Sequence, residues 1–159
     1  MIGKPQKQIS AKALKVWRIS ALIKVIIGWL LAGLAIFFIH TFHLPSWISV
    51  IIVILGIITS YTNIFLFPSL RWRKWRYEVR EEEMELEHGI FIKTRTLIPM
   101  IRVQHVDTVQ GPLLRKYQLA SVMVNTAATT HEIPALEEQE AEELRMFISN
   151  LAKVADEDV

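Results

Sequence analysis

Two apolar runs, residues 25–42 and 47–67, contain no Lys, Arg, Asp or Glu, and they restrict the fold more than any other feature. As helices they would reach roughly 27 and 31 Å, against about 30 Å for the hydrocarbon core of a bilayer. A helix of that length in a soluble protein keeps a polar face toward water. These keep none. Only His43-Leu44-Pro45-Ser46 separates them, which predicts a transmembrane helical hairpin over residues 25–67.

Charge divides the chain at the same place. Lys4, Lys7, Lys12, Lys15, Arg18, Lys24, Arg71, Arg73, Lys74 and Arg76 precede the first acid. The remaining 8 of the 18 Lys and Arg face all 16 Asp and Glu, so residues 77–159 carry −8 within a net charge of +2. Both flanks of the hairpin are basic and the connection is not. The positive-inside rule then puts both termini in the cytoplasm of a multi-pass cell-membrane protein. Residues 1–24 read as a basic cytoplasmic arm, a solvated leader with a short helix capped by Ser10. A cleaved signal peptide does not fit, because the first run is too long and a second follows. Residues 68–76 read as a basic juxtamembrane linker. Trp47, Arg71, Trp72, Arg73, Lys74, Trp75 and Arg76 are the expected contacts with the headgroup region, and Pro68 is expected to end the second helix.

Within the hairpin, Gly28, Ala32 and Ala35 share one helical face, as do Gly56, Ser60 and Asn63, the spacing that lets helices approach closely. No Lys, Arg, Asp or Glu lies inside the runs, which leaves a pump or ion-coupled transporter without support.

From Tyr77 the pattern alternates. Met84, Leu86, His88, Ile90 and Ile92 fall on one strand face, Gly89 suggests a bend, and residues 94–98, 101–109 and 120–127 are further strands rich in Val, Ile and Thr. Gly111-Pro112 breaks the chain before one helical turn. Leu144, Phe147, Ile148 and Leu151 recur at helical spacing, after a glutamate-rich first turn that a helix dipole favours. The prediction is a β-rich domain over residues 77–154, a bent antiparallel sheet closed by a C-terminal helix, with an acidic tail at 155–159.

Particular residues in that domain carry a resemblance. The block Ile98-Pro99-Met100-Ile101-Arg102-Val103-Gln104-His105-Val106-Asp107-Thr108-Val109-Gln110-Gly111-Pro112-Leu113-Leu114-Arg115-Lys116-Tyr117, with Ala120-Ser121-Val122, Thr126-Ala127 and Ile133-Pro134, resembles the bacterial pleckstrin-homology-like (bPH2) family. It is most similar to the family's short membrane-anchored members. The resemblance covers nearly the whole chain. It implies a PH-like fold, a partial barrel plugged by the C-terminal helix, and membrane-tethered binding or assembly, often beside a longer membrane protein with several such domains. It brings no catalytic residue and no cofactor. Lipid-binding PH domains hold inositol phosphates with Lys and Arg in the first strand–strand turn. That turn here is Arg80-Glu81-Glu82-Glu83, which repels phosphate, so phosphoinositide binding is rejected.

Other chemistry is thin. The chain has no cysteine, so disulfides and thiolate sites are excluded. His40 and His43 have no third metal ligand near them in sequence. The −8 balance disfavours nucleic acid. Two functions remain. The favoured one is a noncatalytic membrane-anchored module that docks a protein partner or its own copies as a homo-oligomer, with Arg115 and Lys116 in the docking surface. The alternative is a membrane-associated enzyme or transport accessory subunit that uses His88, His105, His131 and Asp107. Convergence of His105, Asp107 and His131 on a deep pocket would favour the alternative; an exposed apolar groove or sheet edge would favour docking.

Overall fold

The computed structural model describes residues 5–157, which fall into two compact units. One is Trp17–Leu70; the other joins Met1–Val16 to Arg71–Val159.

The helical unit draws on two rods, each long and apolar enough to cross a membrane. Helix α1 (Lys12–Thr41) is continuous, so the short helix expected in the arm and the first apolar run are one element. Neither Pro nor Gly interrupts residues 11–27. It ends where His43 takes a left-handed φ of 53°. There the Leu44 and His43 amides bond the Ile39 and His40 carbonyls, the paired bonds of a Schellman cap. The second rod is α2 (Trp47–Tyr61), a wide π turn (Thr62–Leu66) and α3 (Phe67–Lys74). Pro68 therefore does not end it. Inside a helix a proline ring crowds the carbonyl four residues back. Here the Phe67 amide reaches five residues back to the Thr62 carbonyl, and this wider turn makes room for the ring.

Between the two rods, the Trp29 ring lies where a Cβ on Gly56 would stand 3.0 Å from it. The Trp29 indole N–H donates to Ser60 Oγ at 2.9 Å. Gly56 and Ser60 thus face the partner helix as expected, but Gly28 has nothing within 4 Å of where its Cβ would be. Close approach through Gly28 gives way to a tryptophan contact beside a hollow of about 240 Å³ that Gly28, Trp29, Ala32, Gly56, Ser60 and Asn63 help to line.

The β-rich unit has a four-stranded sheet in the order β1 (Lys7–Gln8), β2 (Arg76–Val79), β3 (Glu83–His88), β4 (Thr94–Pro99). A 3-10 turn, Met100–Arg102, leads to a three-stranded sheet of β5 (Val103–Val109), β6 (Leu119–Thr126) and β7 (Thr130–Glu137). All neighbours are antiparallel. Helix α4 (Pro112–Lys116) interrupts β5 and β6, and α5 (Glu138–Glu157) packs on β5, β6 and β7. The core holds Tyr77, Met84, Leu86, Met100, Val122, Val124, Ile133, Leu136 and Ile148. A register slip at Ala120/Val122 places Ala135 at φ 52°, and its amide donates to the buried Ser121 Oγ at 3.4 Å.

Further expectations change. The arm is no solvated leader, because β1 pairs with β2 and Ile9, Ala13 and Val16 are buried. On α5 the buried positions are Ala141, Leu144 and Ile148, whereas Phe147 is 47% exposed and Leu151 half-buried; the contact stripe is narrower than the apolar stripe. Ile90 and Ile92 do not continue the face of Met84 and Leu86, because β3 ends at His88 and Gly89 turns the chain with φ 117°. Helix α5 runs on to Glu157, and positions 158 and 159 of the expected tail lie outside the described residues, as do positions 1–4 of the arm.

Candidate functional site

Strand β4 is an edge. It pairs with β3 on one side, and in an antiparallel pair alternate N–H and C=O groups of such a strand point away from its partner. Beside it lies a cleft of about 590 Å³ between β4, the Met100–Arg102 turn and the β6–β7 turn, lined among others by Leu97, Pro99, Ile101, Gln104, Ala127 and His131. Leu97 is 46% and Ile101 52% exposed, so the cleft has an accessible apolar floor. Its far wall is braced within the β6–β7 turn. Thr126 Oγ1 donates to the Thr129 carbonyl at 2.8 Å, the Thr129 amide bonds back at 3.0 Å, and Thr129 Oγ1 meets His131 Nε2 at 2.9 Å. A second hollow of about 530 Å³ between β5 and α5 shares Ile101 and Gln104 with the first.

The histidines are separated. His105 Nε2 lies 3.5 Å from Asp107 Oδ2, both side chains more than half exposed. Asn125 Nδ2 donates to the same carboxylate at 3.1 Å, and Asn125 Oδ1 accepts from Thr130 Oγ1 at 2.7 Å. His131 pairs in register with Val124, and Val124 with Val106. Both valines are buried, so strand alternation puts His131 on the opposite face from His105 and Asp107. His88 stacks on Trp75 at 5.6 Å. Among the described residues no three His, Cys, Asp or Glu stand close enough to hold a metal ion.

The Arg80-Glu81-Glu82-Glu83 turn is self-neutralised in part. Arg80 contacts Glu78 at 2.9 Å and Glu83 at 3.1 Å, and the buried Glu85 at 3.7 Å. Its hydrogen bond to Glu78, then that to Glu83, raises the guanidinium pKa further. Glu85 also pairs with Arg95. Glu81 and Glu82 stay exposed.

Of the expected membrane contacts, Trp47, Arg71, Arg73 and Lys74 are exposed and Arg76 is half-buried. Trp72 is half-buried and donates its indole N–H to the Ser10 carbonyl at 3.1 Å. Trp75 is corrected: at 5% exposure it is a core residue of the β-rich unit, held by its stack on His88. Arg115 and Lys116 are exposed in α4. Since β5 runs from Val103, opposite Thr126, to Val109, opposite Ser121, α4 follows the end of β5 remote from the β4 cleft. The structure does not bring the two together. Sequence reading missed the cleft because it is made by residues from β4, β5 and the β6–β7 turn; the exposed Leu97 and Ile101 in the Thr94–Ile101 stretch were its one visible sign.

A strand-built partial barrel closed by a C-terminal helix, behind two apolar helices, defines a membrane-anchored PH-like protein. The model of the bacterial PH domain family matches residues 12–152, and the chain belongs to that family. It is 47% identical over all 159 residues to the transmembrane protein YdbS of Bacillus subtilis (strain 168), covering 100% of both chains. The transmembrane protein YdbT of the same organism is 25% identical over 80 residues, 48% of this chain but 16% of that longer one. No solved structure matches.

Proposed function

We propose that the chain is a noncatalytic module, anchored by two membrane crossings, whose PH-like domain docks an extended segment of a protein partner along β4. The observation that carries this reading is the open β4 edge beside a cleft floored by Leu97 and Ile101. An added strand would satisfy the outward backbone groups, and its alternate side chains would enter the cleft. A longer membrane protein with several PH-like domains is the favoured partner, supported by the partial match to the longer YdbT. A second copy of this chain is the other. Arg115 and Lys116 form a separate basic contact for acidic groups of the same partner.

Both termini are cytoplasmic in this reading. The basic flanks support it, and so does the joining of residues before α1 and after α3 in one folded unit, which requires both on one side of the membrane. Arg71, Arg73, Lys74 and Arg76 meet the anionic inner leaflet at roughly 1 kcal/mol each, with Trp47 and Trp72 at the interfaces. Photo-crosslinking residues placed at Leu97 and Ile101 of the full chain in native membranes should give a discrete protein adduct. Leu97→Asp with an intact melting transition should remove the Ile101 adduct. Adducts to lipid alone would overturn the docking reading.

A further inference from the structure

The β3–β4 turn, residues 89–93, presents two large apolar side chains to solvent: Phe91 is 87% and Ile92 81% exposed. They are the most exposed large apolar residues described, above any on the membrane-crossing helices. Isolated apolar exposure is ordinary, but two neighbouring residues at a hairpin tip present a small apolar wedge. The backbone fixes its shape. Gly89 sits at φ 117°, and a Cβ there would collide with the Ile92 carbonyl oxygen, so glycine closes the turn and holds Ile92 outward.

The register shows which way the tip points. Glu87 lies opposite Arg76, and Arg76 opposite Gln8. Past Arg76, His88 stacks on Trp75, while the two chain segments leading from this unit to the apolar helices are tied together. Trp72 Nε1 donates to the Ser10 carbonyl at 3.1 Å, and Gln8 Nε2 to the Trp72 carbonyl at 3.1 Å. Both exits and the tip therefore occupy one end of the sheet. Charge follows the same axis. The tip carries Lys93, 57% exposed though ion-paired with Glu87 at 2.8 Å, and its end of the unit carries exposed Arg71, Arg73 and Lys74. The other turn of β3, at the far end, carries exposed Glu81 and Glu82. An anionic leaflet attracts the first end and repels the second.

We propose that the β3–β4 turn inserts Ile92 and Phe91 into the headgroup region of the membrane the chain itself crosses, as a third attachment point beside the two helices. Apolar side chains at that depth leave water while neighbouring basic groups stay among the phosphates. The tethers set the domain's height and the wedge sets its rotation, so β4 is presented in one orientation. This inference stands apart from the docking reading and can fail without it.

The chain lacks cysteine, so a single probe can be placed cleanly. Ile92→Cys and, as the far-end reference, Glu81→Cys are labelled with an environment-sensitive fluorophore. The full chain is reconstituted in nanodiscs of phosphatidylcholine and phosphatidylglycerol, with and without bromine on the upper acyl chain. The proposal expects a blue-shifted probe at position 92 that loses most of its intensity on brominated lipid, and a water-like, unquenched probe at 81. A water-like probe at 92 overturns it. So does a blue shift without bromine quenching, which would mean that protein covers the tip. Equal quenching at 81 and 92 also overturns it, since the turn would then not orient the domain. Each labelled variant should keep the unlabelled melting transition, as both sites are exposed.

Discussion

The two units hide their apolar residues by opposite means. In the helical unit Leu30, Leu31, Phe37 and Ile57 are each more than half exposed, on helices long and apolar enough for lipid to cover them. In the β-rich unit Tyr77, Met84, Leu136 and Ile148 are sealed from any solvent, and what covers them is the rest of the chain. The same residue type is therefore nearly free to change in one unit and structural in the other. Local composition specifies the first unit; the second exists only through pairings of distant segments.

The sharpest break between them is Ile148→Ala against Leu30→Ala. Ile148 is 0% exposed, and its truncation should cost the β-rich unit about 2–5 kcal/mol. Leu30→Ala should leave the same transition unmoved. Phe147→Ala, one residue from Ile148, should cost about 1 kcal/mol or less because its ring is half outside. Thermal melts followed by near-ultraviolet dichroism in mild detergent read all three; equal losses at 147 and 148 would redraw the buried face of α5.

Gly56→Val probes the contact of the Trp29 ring with the second rod, at the edge of a hollow of about 240 Å³ lined among others by Gly28, Trp29, Gly56 and Asn63. The new Cβ would meet the Trp29 ring at 3.0 Å, an overpacking that should cost about 1–3 kcal/mol. Helix loss on titration with a denaturing detergent should come earlier, with the β-rich transition unchanged. A coincident fall of both would show that the units are coupled.

Tyr77→Phe is smaller. The Tyr77 hydroxyl donates to Glu140 Oε1 at 2.9 Å, tying β2 to α5, and its loss should cost about 1 kcal/mol. Burial, and then the bond and charge of Glu140, raise the Tyr77 pKa well above its ordinary value of 10.0. The folded state keeps its proton where the unfolded state loses it. Stability is thus complete below pH 10 and declines as pH rises beyond it. The phenylalanine variant should lose that decline; an identical alkaline slope would place its source elsewhere.

Glu137→Gln should be smallest. Its carboxylate holds Lys12 Nζ at 2.8 Å and accepts from Ser10 Oγ at 2.8 Å, and these bonds lower its pKa below 4.5, Lys12 first. The contribution is present above that pH and fades as pH falls through the lowered value. Both partners are over 40% exposed, so solvent screening limits the loss to about 0.5 kcal/mol. Faster amide exchange in β1, with the global melt unmoved, is the expected sign.

What was legible in the sequence divides along the same line. The two helices announced themselves because they are apolar on every face, so each residue along them carries the same signal. Even there Pro68 misled, since nothing local announces the π turn that accommodates it. The strands from Tyr77 on alternated clearly, and the Ile98–Tyr117 block carried the family. Gln8 did not look like a strand, because two residues have no periodicity and their partner stands at Arg76. Phe147 matched the helical spacing of Leu144 and Ile148 but fell outside the narrower contact stripe. His105 and His131 looked as though they could meet until register put them on opposite faces. Residues whose surroundings are set by distant segments cannot be placed by their neighbours in sequence.

The pairing of β1 with β2 also dictates an order of events during synthesis. Lys7 and Gln8 leave the ribosome early, yet their strand has no partner until Arg76 and Tyr77 follow, after both apolar helices. Closing a loop that long is entropically slow relative to forming a helix. On the proposed topology, with both helices crossing the bilayer, the first strand would wait, unpaired, during insertion and would join the sheet only once the second helix had returned the chain to the side from which it began. On that topology, completion of the sheet would report a finished membrane insertion. A chain whose second helix fails to cross would leave the edge of β2 bare, a template for pairing with other chains, and so a mark by which misinserted copies could be told from correct ones.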